Sequence, residues 1–196
     1  MKQKISEYLI QAVLIIFSVV LALILNEYIN NLKTKKELNL ILQNIEEEIS
    51  ANKDILGELI PYHEEVINRI ESALSESIMM DSLKSPQGLN VVKIAPKGIY
   101  KILPNHTAWE TAKMRDIISG IENATLQMLA KTYQQQESTF TPSQKIIEVI
   151  SSREFLDTSK SKENLILMYQ QFKELRSREL LLNEYYTDVL MQMDED

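Results

Sequence analysis

The chain has 196 residues, enough for one domain of ordinary size plus a membrane segment, and its 21 basic against 28 acidic residues give a net charge of −7. That balance excludes a general electrostatic footprint for nucleic acid, and the lack of cysteine excludes disulfides, thiol nucleophiles and cysteine-ligated metals. With only four glycines and five prolines among many Leu, Ile, Glu, Lys and Gln, the composition favours long helices.

Residues 1–7 form a short tail, and a transmembrane helix is expected over 8–26, where nineteen consecutive residues between Glu7 and Glu27 carry no charge. Within "YLIQAVLIIFSVVLALIL", only Gln11 and Ser18 are notably polar. At 1.5 Å per residue this run makes about 27 Å of helix, close to the hydrocarbon thickness of a bilayer. A core helix of a soluble protein would carry a polar stripe, and this one is apolar all round. A secretion signal is the competitor, because Lys2 and Lys4 resemble a positive n-region. The apolar run is longer than a typical signal, however, and "VVLALILNEY" has bulky residues where small cleavage-site residues belong. An uncleaved anchor is the expectation. Lys2, Lys4 and the N-terminus on one side nearly balance Lys33, Lys35 and Lys36 on the other, with a narrow preference for a cytoplasmic N-terminus.

A soluble helical domain is expected over 27–196. Leu38, Ile41, Leu42, Ile45, Ile49, Leu56 and Leu59 recur with helical spacing and leave one polar gap near Asn52, which predicts a stem helix continuous with the anchor. Such a helix would suit the passage of rotation or tilt between domain and membrane. Pro61 is expected to kink or end it, and Val66, Ile67, Ile70, Ala73, Leu74 and Ile78 predict a second helical segment. From about 81 to 106 the pattern changes. "SPQGLNVVKIAPKGIYKILP" holds three prolines, two glycines and the β-prone runs "VVKI" and "IYKI", an irregular connector crossing the end of a bundle.

Helical grammar returns at Thr107, where Thr107 and Glu110 match a capping box; Ser119 and Glu122 repeat it, with Gly120 as the joint. Thr141-Pro142 marks a third start. From about Lys162 to Met193, Leu165, Met168, Tyr169, Phe172, Leu175, Leu182, Tyr186, Val189 and Met193 follow a spacing near 3.5, broken at Glu179. A seam of this kind wants partner helices. The fold expected is therefore all-α: an N-terminal transmembrane helix running into a long stem, packed with further helices as an antiparallel bundle or coiled coil.

Two stretches resemble the DUF6090-like family of uncharacterised bacterial single-pass membrane proteins. "LALILNEYINNLKTKKELNLILQNIEEEISANK" (21–53) is similar to that family's anchor and charged helix, and "TAWETAKMRDIISGIENATLQMLAKTYQQQ" (107–136) to its "AW-T" helix, break and following helix. Departures are the weakly basic tail and Tyr28 where the family tends to have Trp. The resemblance implies a cytoplasmic N-terminus and a helical domain outside the cytoplasmic membrane; it implies no activity.

Few residues point to chemistry. Gln11, Ser18 and Ala22 share one face of the anchor, and the small-xxx-small spacing of Ser18 and Ala22 makes that face a candidate transmembrane interface. Trp109, Leu165, Phe172, Leu182 and Tyr186 are expected as structural core. His63 and His106 have no paired metal spacing, and Glu46, Glu47 and Glu48 spread over different helix faces, which predicts solvation. "APKG" lacks the flanking residues of a phosphate loop, and no nucleophile motif is present. No catalysis, metal or cofactor is expected. The expected partners are the lipid bilayer and a second copy or a membrane-protein partner, with Lys33, Lys35 and Lys36 placed to meet headgroups. Rival readings are an envelope sensor, which would need a partner because about seven residues precede the anchor, and a membrane-perturbing effector, for which the anchor offers little pore lining.

Overall fold

The computed structural model describes residues 2–86, 88–100, 102–115 and 117–195, and the side chains of residues 2–12 and 195 lie outside that description. The architecture is all-α, a helical bundle with one minimal hairpin. Helix α1 covers Lys2–Ser75, α2 Ser77–Leu83, α3 Val91–Ile94, α4 Thr107–Met114, α5 Asn123–Thr139, α6 Thr141–Ser151 and α7 Ser161–Glu195. Strands β1 (Lys84–Ser85) and β2 (Gly88–Leu89) pair antiparallel, and 3-10 turns occupy Ile117–Gly120, Arg153–Leu156 and Thr158–Lys160. The chain divides into two units, Met1–Gln43 and Asn44–Asp196.

In the first unit the described side chains of the apolar run are exposed, from Leu21 at 44% to Ile15 at 65%. No polypeptide covers them. The described residues contain one helix long and apolar enough to cross a membrane, near the N-terminus, with a window of mean hydropathy 2.1. Length and composition of this kind serve a membrane span or a secretion signal alike.

The second unit is closed around one core. Val66, Ile70, Ile94, Ile146, Leu165 and Phe172 are among its buried residues. They come from α1, α3, α6 and α7, so the helices bury their apolar stripes against each other as the 3.6-residue period requires. Leu165, Phe172, Leu182 and Tyr186 have no exposed surface, and Trp109 is 7% exposed. Gly88 has φ 93°, and a Cβ there would run into the Phe155 carbonyl oxygen, so only glycine lets β2 lie against that 3-10 turn.

Several local expectations fail for definable reasons. Pro61, expected to kink or end the helix, does not end it: α1 continues through it to Ser75 and breaks at Glu76. Both Pro61 and Gly57, whose carbonyl would have accepted the missing N–H bond, are exposed, so water can take the freed carbonyl while the opposite face stays packed. "VVKI" is not extended but forms the helical turn α3, because Asn90 caps it by accepting from Lys93 N at 3.2 Å. Thr107 and Glu110 form no capping box. Asn105 Oδ1 instead accepts from His106 N, Thr107 N and the Thr107 hydroxyl, while Glu110 pairs with Lys113. Ser119 falls inside a 3-10 turn, and α5 begins after Glu122 without a side-chain cap. Thr141 and Pro142 do open α6, with proline in the tolerated first turn.

Replacing Pro61 by Ala restores a donor at an exposed helical position, and interior proline costs about 3 kcal/mol relative to alanine in a helix. Because the helix has already accommodated it, Pro61→Ala is expected to stabilise the domain by about 1–2 kcal/mol, measured as a rise in denaturation midpoint with unchanged m-value. A lower midpoint would show that proline at this position is needed for packing.

Candidate functional site

Among the described residues between α3 and α4 there is no helix or ladder, and polar side chains of α1 supply most of the side-chain hydrogen bonds to their backbone. Arg69 Nη1 donates to the Ile94 carbonyl at 2.7 Å. The Tyr62 hydroxyl donates to the Gly98 carbonyl at 2.6 Å and accepts from Lys97 N at 3.2 Å. Next to it, His63 Nε2 lies 2.6 Å from the Ile99 carbonyl oxygen. Asn52 holds Asn105 in both directions, its Nδ2 donating to the carbonyl at 2.6 Å and its Oδ1 accepting from the amide at 2.7 Å. Glu48 Oε2 accepts from Ala108 N at 2.8 Å, a carboxylate at the positive first turn of α4. The residues from 94 to 108 thus form a strap laid antiparallel along α1.

His63 and Glu179 are both fully buried, with Nδ1 and Oε2 2.9 Å apart. A carbonyl only accepts, so Nε2 carries hydrogen toward Ile99, and a proton between Nδ1 and Oε2 leaves the pair net neutral whichever atom holds it. Phe172 packs on the imidazole with ring centroids 5.7 Å apart. Glu179 Oε1 is buried and has no hydrogen-bond partner. The break in the α7 heptad is therefore where the helix meets α1 through a polar pair.

A second polar group lies lower in the unit. The Tyr133 hydroxyl donates to Glu48 Oε1 at 2.7 Å, and the Tyr186 hydroxyl to Gln136 Oε1 at 2.7 Å. Gln136 Nε2 in turn donates to the Asn105 carbonyl at 3.0 Å. Burial pushes the Tyr133 and Tyr186 phenols far above their ordinary value, and the Glu48 carboxylate adds to both shifts. Burial also raises Tyr62, against the bond from Lys97.

Above this network α4, α5 and the end of the strap enclose a half-open groove of about 510 Å³. Trp109 and Tyr133 stack in it nearly parallel, centroids 5.2 Å apart and planes 3° apart. Leu103, Pro104 and Phe140 make apolar walls, and His106, Glu110, Lys113 and Glu137 bring ionisable groups to its edge. A volume of this size, mostly apolar with a few polar groups, suits a small ligand.

The sequence-derived residues fall in different places. Ser18 and Ala22 lie in the first unit, where the Ser18 hydroxyl donates to the Leu14 carbonyl at 2.8 Å within its own helix, and the Gln11 side chain lies outside the described residues. Trp109 is both buried and part of the groove lining. His63, expected to stand alone, is paired with Glu179, and Glu48, expected in solvent, joins three elements. The signals that mark these sites are the polar gaps at Asn52 and Glu179 inside otherwise apolar seams. Comparison with protein-family models, curated proteins and solved structures finds no match to this chain.

His63→Leu strands a buried carboxylate and is expected to cost about 3–5 kcal/mol in chemical denaturation, whereas the double variant His63→Leu/Glu179→Leu costs less than that single change. Additive losses would mean that the two side chains are energetically independent. For the tyrosines, a folded-state value above the unfolded one of about 10 gives stability that is complete below that pH and declines above it. Alkaline titration should therefore leave Tyr133 and Tyr186 un-ionised until the fold is lost, with stability falling by up to about 1.4 kcal/mol per pH unit for each. Phenolate absorbance from all eight tyrosines before the loss of helical signal would refute this.

Proposed function

We propose that this chain is a bitopic membrane protein of the bacterial cytoplasmic membrane, with a cytoplasmic N-terminus and the helical domain outside, acting as an oligomerising scaffold component rather than an enzyme. The observation that carries this reading is the exposure of the described apolar side chains of α1 from Val13 to Leu25, a surface suited to lipid or other helices. The resemblance of residues 21–53 and 107–136 to DUF6090-like proteins supports the orientation.

The face bearing Ser18 and Ala22 extends beyond the hydrocarbon span. Leu25, Ile29 and Leu32 continue it with alternating steps of three and four, at 52%, 49% and 50% exposure. A second copy of α1 laid parallel along this seam gives close backbone approach at Ser18 and Ala22 and apolar contact at Leu25, Ile29 and Leu32. The groove favours a second reading as well, in which the domain binds a small envelope ligand and signals through the oligomer or a partner protein.

Because the chain has no cysteine, single cysteines report this directly. Cysteine at Ile29 or Leu32 is expected to crosslink in membranes, and cysteine at Asn31 or Thr34, on the far face, is not. Ser18→Leu with Ala22→Leu should lower the Ile29 crosslink by about fivefold or more. Crosslinks at all four positions alike, or unaffected by the leucines, would remove the seam.

A further inference from the structure

We propose that the groove between α4, α5 and the strap is the binding site of a small organic cation, an ammonium group attached to a compact apolar or aromatic body. The inference deepens the ligand-binding reading and rests on it. Trp109 offers the motive. Tyr133 stacks against the indole, and Lys113 Nζ lies over the Trp109 ring, 5.9 Å from its centroid. The groove thus already holds an ammonium against its aromatic surface, and it does so with a flexible side chain that a ligand can displace.

The charges at the rim point the same way. Lys113 pairs with Glu110 at 2.6 Å, so its charge is already matched. Glu137 is exposed and belongs to no ion pair among the described residues, which gives the rim two carboxylates, Glu110 and Glu137, against a single lysine, an excess over Lys113. An anionic ligand would meet that excess unfavourably. A cation that took the place of Lys113 Nζ would lie on the indole between Glu110 and Glu137, with its apolar body against Leu103, Pro104 and Phe140. The volume of about 510 Å³ accommodates a whole small molecule but not the acyl chains of a lipid, so the source is a free solute.

Trp109 is the sole tryptophan, so its fluorescence in the detergent-solubilised full chain reports the groove alone. Benzyltrimethylammonium is the probe, with benzyl alcohol and phenylacetate as neutral and anionic counterparts. The expected result is a saturable change with the cation, bound about tenfold tighter than phenylacetate. Glu137→Gln should weaken binding about threefold, and Lys113→Met, which removes the internal competitor and frees Glu110, should tighten it. Both changes are on the exposed rim, and helical content checks that the fold is kept. Phenylacetate or benzyl alcohol binding as tightly as the cation, cation binding unmoved by either variant, or no saturable response overturns the proposal. A response to phosphatidylcholine vesicles with none to the free cation overturns the choice of a free solute. Saturable binding of the neutral or anionic probe at least as tight as that of the cation would leave the ligand-binding reading standing while this inference fell, and the cysteine crosslinks are indifferent to both.

Discussion

The organisation of the bundle depends on how the backbone from Ile94 to Ala108 finds hydrogen-bond partners. A segment without helix or sheet cannot satisfy its own main chain, and each buried group left unpaired costs about 1–3 kcal/mol. Five side chains of α1 meet this demand: Arg69, Tyr62, His63, Asn52 and Glu48 bond to Ile94, Lys97, Gly98, Ile99, Asn105 and Ala108. From Arg69 to Glu48 the helix rises about 31 Å. The fourteen steps from 94 to 108 reach at most about 50 Å when extended, so the strap covers that distance with slack for its turns. Gly98 supplies one of them with φ 83°, in the left-handed region that glycine enters without strain.

The strap in turn determines where the groove lies. By delivering Ala108 to Glu48, it places the first turn of α4 against a carboxylate from another helix, which does the work that a Thr107–Glu110 capping box would have done locally. The same carboxylate receives the Tyr133 hydroxyl, so the ring on which Trp109 stacks is held by the residue that anchors its helix. Gln136 ties this group to the strap through Asn105 and to α7 through Tyr186. The aromatic surface is therefore built on a hydrogen-bonded base, while Glu110, Lys113 and Glu137 at its edge have no side-chain bond to that network among the described residues.

Periodicity made the helices legible. The seam from Leu165 to Val189, apart from the partly buried Tyr169, and the stripe from Ile45 to Leu59 are buried at the positions their spacing marks. Local rules failed where a distant residue supplied a better partner or solvent removed a penalty, as at Thr107, Ser119 and Pro61. "VVKI" failed differently, because β-propensity measures fit to a half-buried pleated surface and no sheet stands there to receive it. The groove was not legible at all. It arises from residues near 105, 110 and 137, brought together only when the strap descends along α1. What the sequence did display was two misplaced polar residues, Asn52 and Glu179, in seams that should have been apolar. Read as defects they weaken the pattern; read as buried partners awaiting a segment, they mark the contacts that organise the unit.

The two units solve the burial problem in opposite ways. Among the described residues of 44–196 the buried side-chain nitrogen and oxygen atoms have protein partners, with three single-atom exceptions, Gln171 Oε1, Arg176 Nε and Glu179 Oε1. In the apolar run the described side chains from Val13 to Leu25 are exposed, and Ser18, the one described polar side chain there, turns back to bond its own helix. With its hydroxyl bonded to the Leu14 carbonyl, Ser18 presents no unmet donor on the described apolar stretch. The same economy leaves the small face at Ser18 and Ala22 free for close helix approach, since the hydroxyl already has an acceptor and association there needs only shape. In the proposed pairing, specificity would rest on the exposed Ile29 and Leu32, beyond the expected span of 8–26, where apolar contact in water has the driving force that lipid cannot supply.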